Sequence, residues 1–114
     1  MSKNNIPCNY SEAASFLGDR DSRNINSVRA TSINRIGTDK IAMYYHNTPV
    51  VIWHSDGTTT LTSGGYHSVT TKKRINQGMK NTGYTLFQEQ FQWYLHQANG
   101  ETHIPFYNGM KVEA

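Results

Sequence analysis

The segment Ser63-Gly64-Gly65-Tyr66-His67-Ser68-Val69-Thr70-Thr71-Lys72-Lys73-Arg74 holds the residues best suited to gripping an anion. Two glycines in succession permit backbone conformations denied to other residues, and a helix starting just after them would leave unpaired N–H groups and a partial positive charge at its first turn. Gly64, Gly65, Thr70, Thr71 and Lys72 form the candidate anion site, with backbone amides, hydroxyls and one ammonium as donors. The spacing G-x-x-x-x-G-K-[ST] is absent and no carboxylate in the segment could hold Mg²⁺, which argues against nucleotide hydrolysis.

Other chemistries are poorer. His46, His54, His96 and His103, with Asp56, could ligate a zinc-like ion, but none of these pairs has the two-to-five-residue spacing with thiolates typical of structural zinc. Ser63 or Ser68 as nucleophile, His54 or His67 as base and Asp56 as orienting acid would make a hydrolase triad. No Gly-x-Ser-x-Gly elbow supports it, and the eight carboxylates are scattered along the chain. Tyr44, Trp53, Tyr66 and Trp93 are rings on which nucleobases could stack, although a small β-rich domain needs most of its aromatics inside. The reading is therefore of a protein that is no enzyme, without catalytic residues, metal or cofactor.

Charge narrows the choice. The net charge is +3 over 114 residues, yet no Asp or Glu occurs from Gly57 through Gln88, a window that holds Lys72, Lys73, Arg74 and Lys80. A second acid-free window, Ser22 to Thr38, carries Arg23, Arg29 and Arg35. If the fold joins the two, one face attracts phosphates or an acidic protein, with a strength that falls as salt screens it.

The elements that must position these groups follow from periodicity and turn chemistry. Ser11 can cap a short helix that Gly18 closes, and the polar, aperiodic Asp19 to Asn24 reads as a loop or arm. From Thr31 the period is two: strands near residues 31–36, 40–46, 50–54 and 58–62, with Pro49 at a strand start and Asp56-Gly57 in a hairpin. Thr70 or Thr71 can cap a helix over about 72–79, with Ile75 and Met79 inward and Lys72, Lys73, Arg74 and Asn76 toward water. Strands return over 84–88 and 91–96, then Asn99-Gly100 and Asn108-Gly109 turn the chain into a last strand at 110–112. The expected fold is α+β: a small antiparallel meander of five to seven short strands covered by one helix, with a short N-terminal helix. Residues 1–29 are expected to form an arm and 30–114 the β-rich domain.

Hydrophobic residues make up 36% of the chain and aromatic ones 11%, enough for one core. No apolar run is long enough to span a bilayer, no leader pattern opens the chain, and the single Cys8 excludes an internal disulfide. No membrane role is expected.

A set of spaced motifs then stands out: Ile33-Asn34-Arg35-Ile36-Gly37, Tyr45-His46-Asn47-Thr48, Val50-Val51, His54-Ser55-Asp56-Gly57, Leu61-Thr62-Ser63-Gly64-Gly65-Tyr66, Thr70-Thr71-Lys72 with Arg74-Ile75-Asn76, Trp93-Tyr94, and Pro105-Phe106-Tyr107-Asn108-Gly109-Met110. Over about residues 30–112 the chain resembles a small domain that recurs among proteins of tailed bacteriophages and other mobile elements. The resemblance implies a phage origin and action in the cytoplasm of a bacterial host, and carries no catalytic residues with it. Together these readings predict a non-enzymatic interaction protein that binds and blocks a host protein, such as a nuclease or defence complex. Arg29, Arg35, Tyr66, Lys72, Lys73 and Arg74 would be the contacts, and the chain a monomer or homodimer. The alternative is direct binding of DNA or RNA through the same basic corner.

Overall fold

The computed structural model describes residues 6–25, 30–65, 68–80, 82–97 and 103–113. Helix α1 (Tyr10–Leu17) begins at Asn9, whose side-chain oxygen accepts the Glu12 N–H at 2.8 Å. The Glu12 carboxylate in turn accepts the Cys8 N–H at 3.1 Å, so the cap is two residues earlier than Ser11. Gly18 closes the helix at φ 61°, as its sequence position predicts.

The polar stretch after it is not a loop. Strand β1 (Ser22–Asn24) pairs antiparallel with β2 (Thr31–Ile36), and all three of its residues are exposed, which is why no burial alternation betrayed it. Ala13, Leu17 and Ile25 are buried in the same core as Ile33 and Met43, so the described part of the 1–29 segment is built into the domain rather than hanging from it.

The larger sheet continues through β3 (Lys40–Tyr45), β4 (Thr48–His54) and β5 (Thr58–Leu61), and is completed by the last strand, β9 (Met110–Glu113), in the order β1-β2-β3-β4-β5-β9. Every pairing is antiparallel. A bulge between Met43 and Tyr44 shifts the β3–β4 register beside the turn that carries His46 and Asn47. A second sheet, β6 (Tyr84–Glu89), β7 (Gln92–Gln97) and β8 (His103–Pro105), stands apart from the first. Among the described residues nine strands in two sheets thus replace the single meander of the α+β fold, because the chain crosses α2 before the β6–β7 hairpin and β9 returns to β5.

Helix α2 (Val69–Gly78) joins the sheets, touching β3 and β4 on one side and β6 on the other. Its cap is Ser68, whose hydroxyl accepts the Thr71 N–H at 3.1 Å, rather than Thr70 or Thr71. Ile75 and Met79 are fully buried, as their spacing predicts. Gly78 lets the helix press onto the sheet: a Cβ there would lie 2.8 Å from Met43 and Val51 side-chain atoms. The Trp53 indole donates to the Gly78 carbonyl at 2.8 Å. On the opposite side the Asn76 amide bonds the β6 backbone twice, donating to the Leu86 carbonyl at 2.9 Å and accepting the Leu86 N–H at 2.7 Å. Leu86, Trp93 and Leu95 therefore enter the same core as Trp53 and Leu61. The radius of gyration, 13.4 Å, suits one domain of this length. Among the described residues no helix is long and apolar enough to cross a membrane.

Candidate functional site

The Gly-Gly corner is held from beneath by Asn108. Its side-chain oxygen accepts from the Ser63 N–H at 2.9 Å and from the Ser63 hydroxyl at 3.1 Å, leaving Ser63 buried. Gly64 has φ 65°, and a Cβ on it would stand 2.5 Å from the Thr48 methyl, so close approach and backbone angle both require glycine.

Where this corner meets the first turn of α2 and the β3–β4 turn, a pocket of about 420 Å³ opens. Tyr45, Thr48 and Val50 form much of its wall, His46 and Asn47 come from the turn, and Ser63, Ser68 and Thr71 bring hydroxyls. The lining is mostly apolar. The Tyr45 and His46 ring centroids are 4.5 Å apart, and His46 is held at φ 56° with its N–H donating to the Ala30 carbonyl at 2.8 Å. Two exposed apolar side chains lie close in sequence to the corner: Val69, next to Ser68 of the lining, is 75% exposed, and Tyr107, next to the Asn108 that bonds Ser63, is 62% exposed.

Of the predicted anion site, Thr71 lines this pocket together with Ser63 and Ser68; Gly64 and Gly65 follow Ser63 in the chain, Thr70 and Lys72 flank Thr71, and Lys73 is exposed. Two other predicted cations, Arg74 and Arg35, do not join them. Arg74 turns inward, 7% exposed, where its Nε donates to the Thr31 hydroxyl at 3.0 Å and its terminal nitrogen to the Gln77 side-chain oxygen at 3.0 Å. Burial lowers its pKa, and the Tyr45 ring centroid lies 6.0 Å away. Arg35 sits four residues along β2 from Thr31, about 13 Å toward the far end of the sheet. There it donates to the Gly18 carbonyl at 3.1 Å and stands 4.0 Å from Asp21. Arg29 and Tyr66 lie outside the described residues.

The triad grouping fails on distance. Ser63 is beside the Thr48 end of β4, while His54 and Asp56 are at its other end, about 20 Å away. His54 shares a 2.7 Å hydrogen bond with Thr60, and Asp56 accepts from the Thr58 N–H at 3.0 Å and hydroxyl at 2.7 Å. Those two bonds hold the Asp56 pKa below its usual value; burial, then the Lys111 charge, pushes that of His54 down. His67 lies outside the described residues. Among the described residues no three His, Cys, Asp or Glu side chains gather. Trp53 and Trp93, read as stacking candidates, are core residues at 1% exposure each.

Sequence reading missed the apolar neighbours of the corner and two features of the smaller sheet. Phe91, placed in a strand, occupies the β6–β7 turn at φ 67° and is 94% exposed. Phe87, Tyr94, His96 and His103 form a ring cluster on the outer face, with Phe87 and Tyr94 stacked at 5.7 Å. The alternation over 84–88 and 91–96 carried that signal, since residues opposite Leu86 and Leu95 must face outward.

Fold and corner together define a small two-sheet α+β domain with a pocket where a glycine bend meets a helix start. The model of the Kyanoviridae Gp96 protein family matches residues 13–113, and the chain belongs to that phage family. The match takes in most of α1 and all of β1, as the shared core requires. No curated protein and no solved structure matches the chain.

Proposed function

We propose that this phage protein is an interaction module that binds a bacterial host protein, of the nuclease or defence class, and blocks it by occlusion in the host cytoplasm. The observation that carries the reading is the composition of the corner: an apolar pocket of about 420 Å³, exposed Val69 and Tyr107 next in sequence to Ser68 of its lining and to Asn108 of the corner, and Lys72 and Lys73 on the first turns of α2. Aromatic and aliphatic anchors next to a cavity, rimmed by charge, are what a protein partner uses for affinity, whereas a polynucleotide needs a continuous cationic track. Arg74 is buried and Arg35 lies toward the other end of β2, so neither extends the Lys72–Lys73 pair into such a track, which favours a protein partner. The fitting partner surface is a bulky apolar side chain flanked by carboxylates.

The test is co-purification from host cells, identification by mass spectrometry and reconstitution with the purified partner, using wild type, Tyr107→Ala and Lys72→Glu/Lys73→Glu. The reading expects binding that both variants weaken while retaining the wild-type melting temperature. Undiminished binding by both variants would refute this surface, and salt-sensitive binding of DNA or RNA at micromolar protein without a protein partner would replace it with the nucleic-acid alternative.

A further inference from the structure

His96 on β7 and His103 on β8 are direct cross-strand partners on the outer face of the smaller sheet, with ring centroids 5.1 Å apart. We propose that this pair is a binding site for a borderline divalent transition-metal ion, Cu²⁺, Ni²⁺ or Zn²⁺, held by the two imidazoles with water in the remaining positions.

Geometry supports it first. With a metal–nitrogen bond of about 2.0–2.1 Å, an ion lies about 3.2 Å from the centroid of its imidazole, so rings 5.1 Å apart subtend about 105° at a shared ion, near the tetrahedral angle. The second observation is independent: His96 Nδ1 is buried and has no hydrogen-bond partner, a costly state for a ring nitrogen that a metal bond would relieve. His103 is exposed, so its ring is free to turn about χ2 toward the ion and its open side admits water.

The surroundings favour a cation. Strands β6, β7 and β8 carry no Lys or Arg, so no fixed positive charge opposes it. Phe87, 5.0 Å from His103 and 6.4 Å from His96 between centroids, walls one side and lowers the local dielectric, which strengthens metal–ligand attraction. Imidazole ligands select this class of ion over Mg²⁺ and Ca²⁺, and the usual order places Cu²⁺ tightest. With two protein ligands the site is labile.

The experiment is titration of the full-length, tag-free protein with CuCl₂, NiCl₂ or ZnCl₂ by calorimetry, with NMR of the histidine ring protons to locate the ion. One ion per chain is expected in the micromolar range, with Cu²⁺ broadening the His96 and His103 signals and sparing His46 and His54. His96→Gln and His103→Gln should each weaken binding about tenfold or more. Gln preserves size and polarity, and the melting temperature without metal confirms that each variant is folded. No binding by wild type, affinity unchanged in either variant, or broadening centred on another histidine would overturn the assignment.

Discussion

Arg74 brings a full charge into the interior with only neutral hydrogen-bond partners, Thr31 and Gln77, and the Tyr45 ring near its guanidinium. Its removal therefore loses packing along the aliphatic stem and the hydrogen bond that ties α2 to the Thr31 hydroxyl of β2. Arg74→Ala should lower stability by about 2 kcal/mol, read as a reduced urea midpoint with unchanged slope. From sequence it resembled Lys72 and Lys73, because burial of an arginine leaves no trace in local charge when the Thr31 hydroxyl it bonds is 43 residues away in the chain. His54 offers a pH test. Its folded pKa lies below the usual 6.5, so the native state binds fewer protons than the unfolded chain. The contribution to stability is complete above that value and is lost as pH falls through the lowered folded value. The melting temperature should drop between about pH 7.5 and about pH 5, and by less in His54→Gln; an equal drop in both proteins would remove His54 as the cause.

At the level of elements, the contact of α2 with the sheet depends on the missing side chain at Gly78. Alanine would improve helix propensity by about 1 kcal/mol, but it must displace Val51 and Met43 atoms, an overpacking cost of about 1–3 kcal/mol. Gly78→Ala should be net destabilising by about 1 kcal/mol, whereas a gain in denaturation midpoint would show that the core yields freely there. Ser68→Ala should cost a similar amount through loss of the cap. Most elements were legible: strands β2 to β7 and the inward Ile75/Met79 stripe follow from alternation and turn residues. The exposed β1 and the split into two sheets were not, since each depends on a partner outside its own segment, and at α1 Asn9 and Ser11 are both capping residue types, so type alone did not choose between them. Of the candidate site, the glycine corner and hydroxyls were readable, while the cavity arises only when the Tyr45–Thr48 turn folds against them.

On the scale of the whole molecule, one core serves both sheets: Trp53 belongs to the larger, Trp93 to the smaller, and both are buried in the same cluster. Unfolding should be a single transition. In Trp53→Phe and Trp93→Phe, the remaining tryptophan's fluorescence should change at the same urea concentration as the far-ultraviolet circular dichroism of that variant; separated midpoints would mean that the sheets melt independently. The double bond from Asn76 to Leu86 bears on how copies of this protein meet one another. It occupies outward-pointing amide and carbonyl groups of β6, the place where a stray extended segment would otherwise dock and lengthen the sheet. The helix thus acts as a stopper on strand recruitment at the β6 edge of the smaller sheet, and it does so through a single carboxamide.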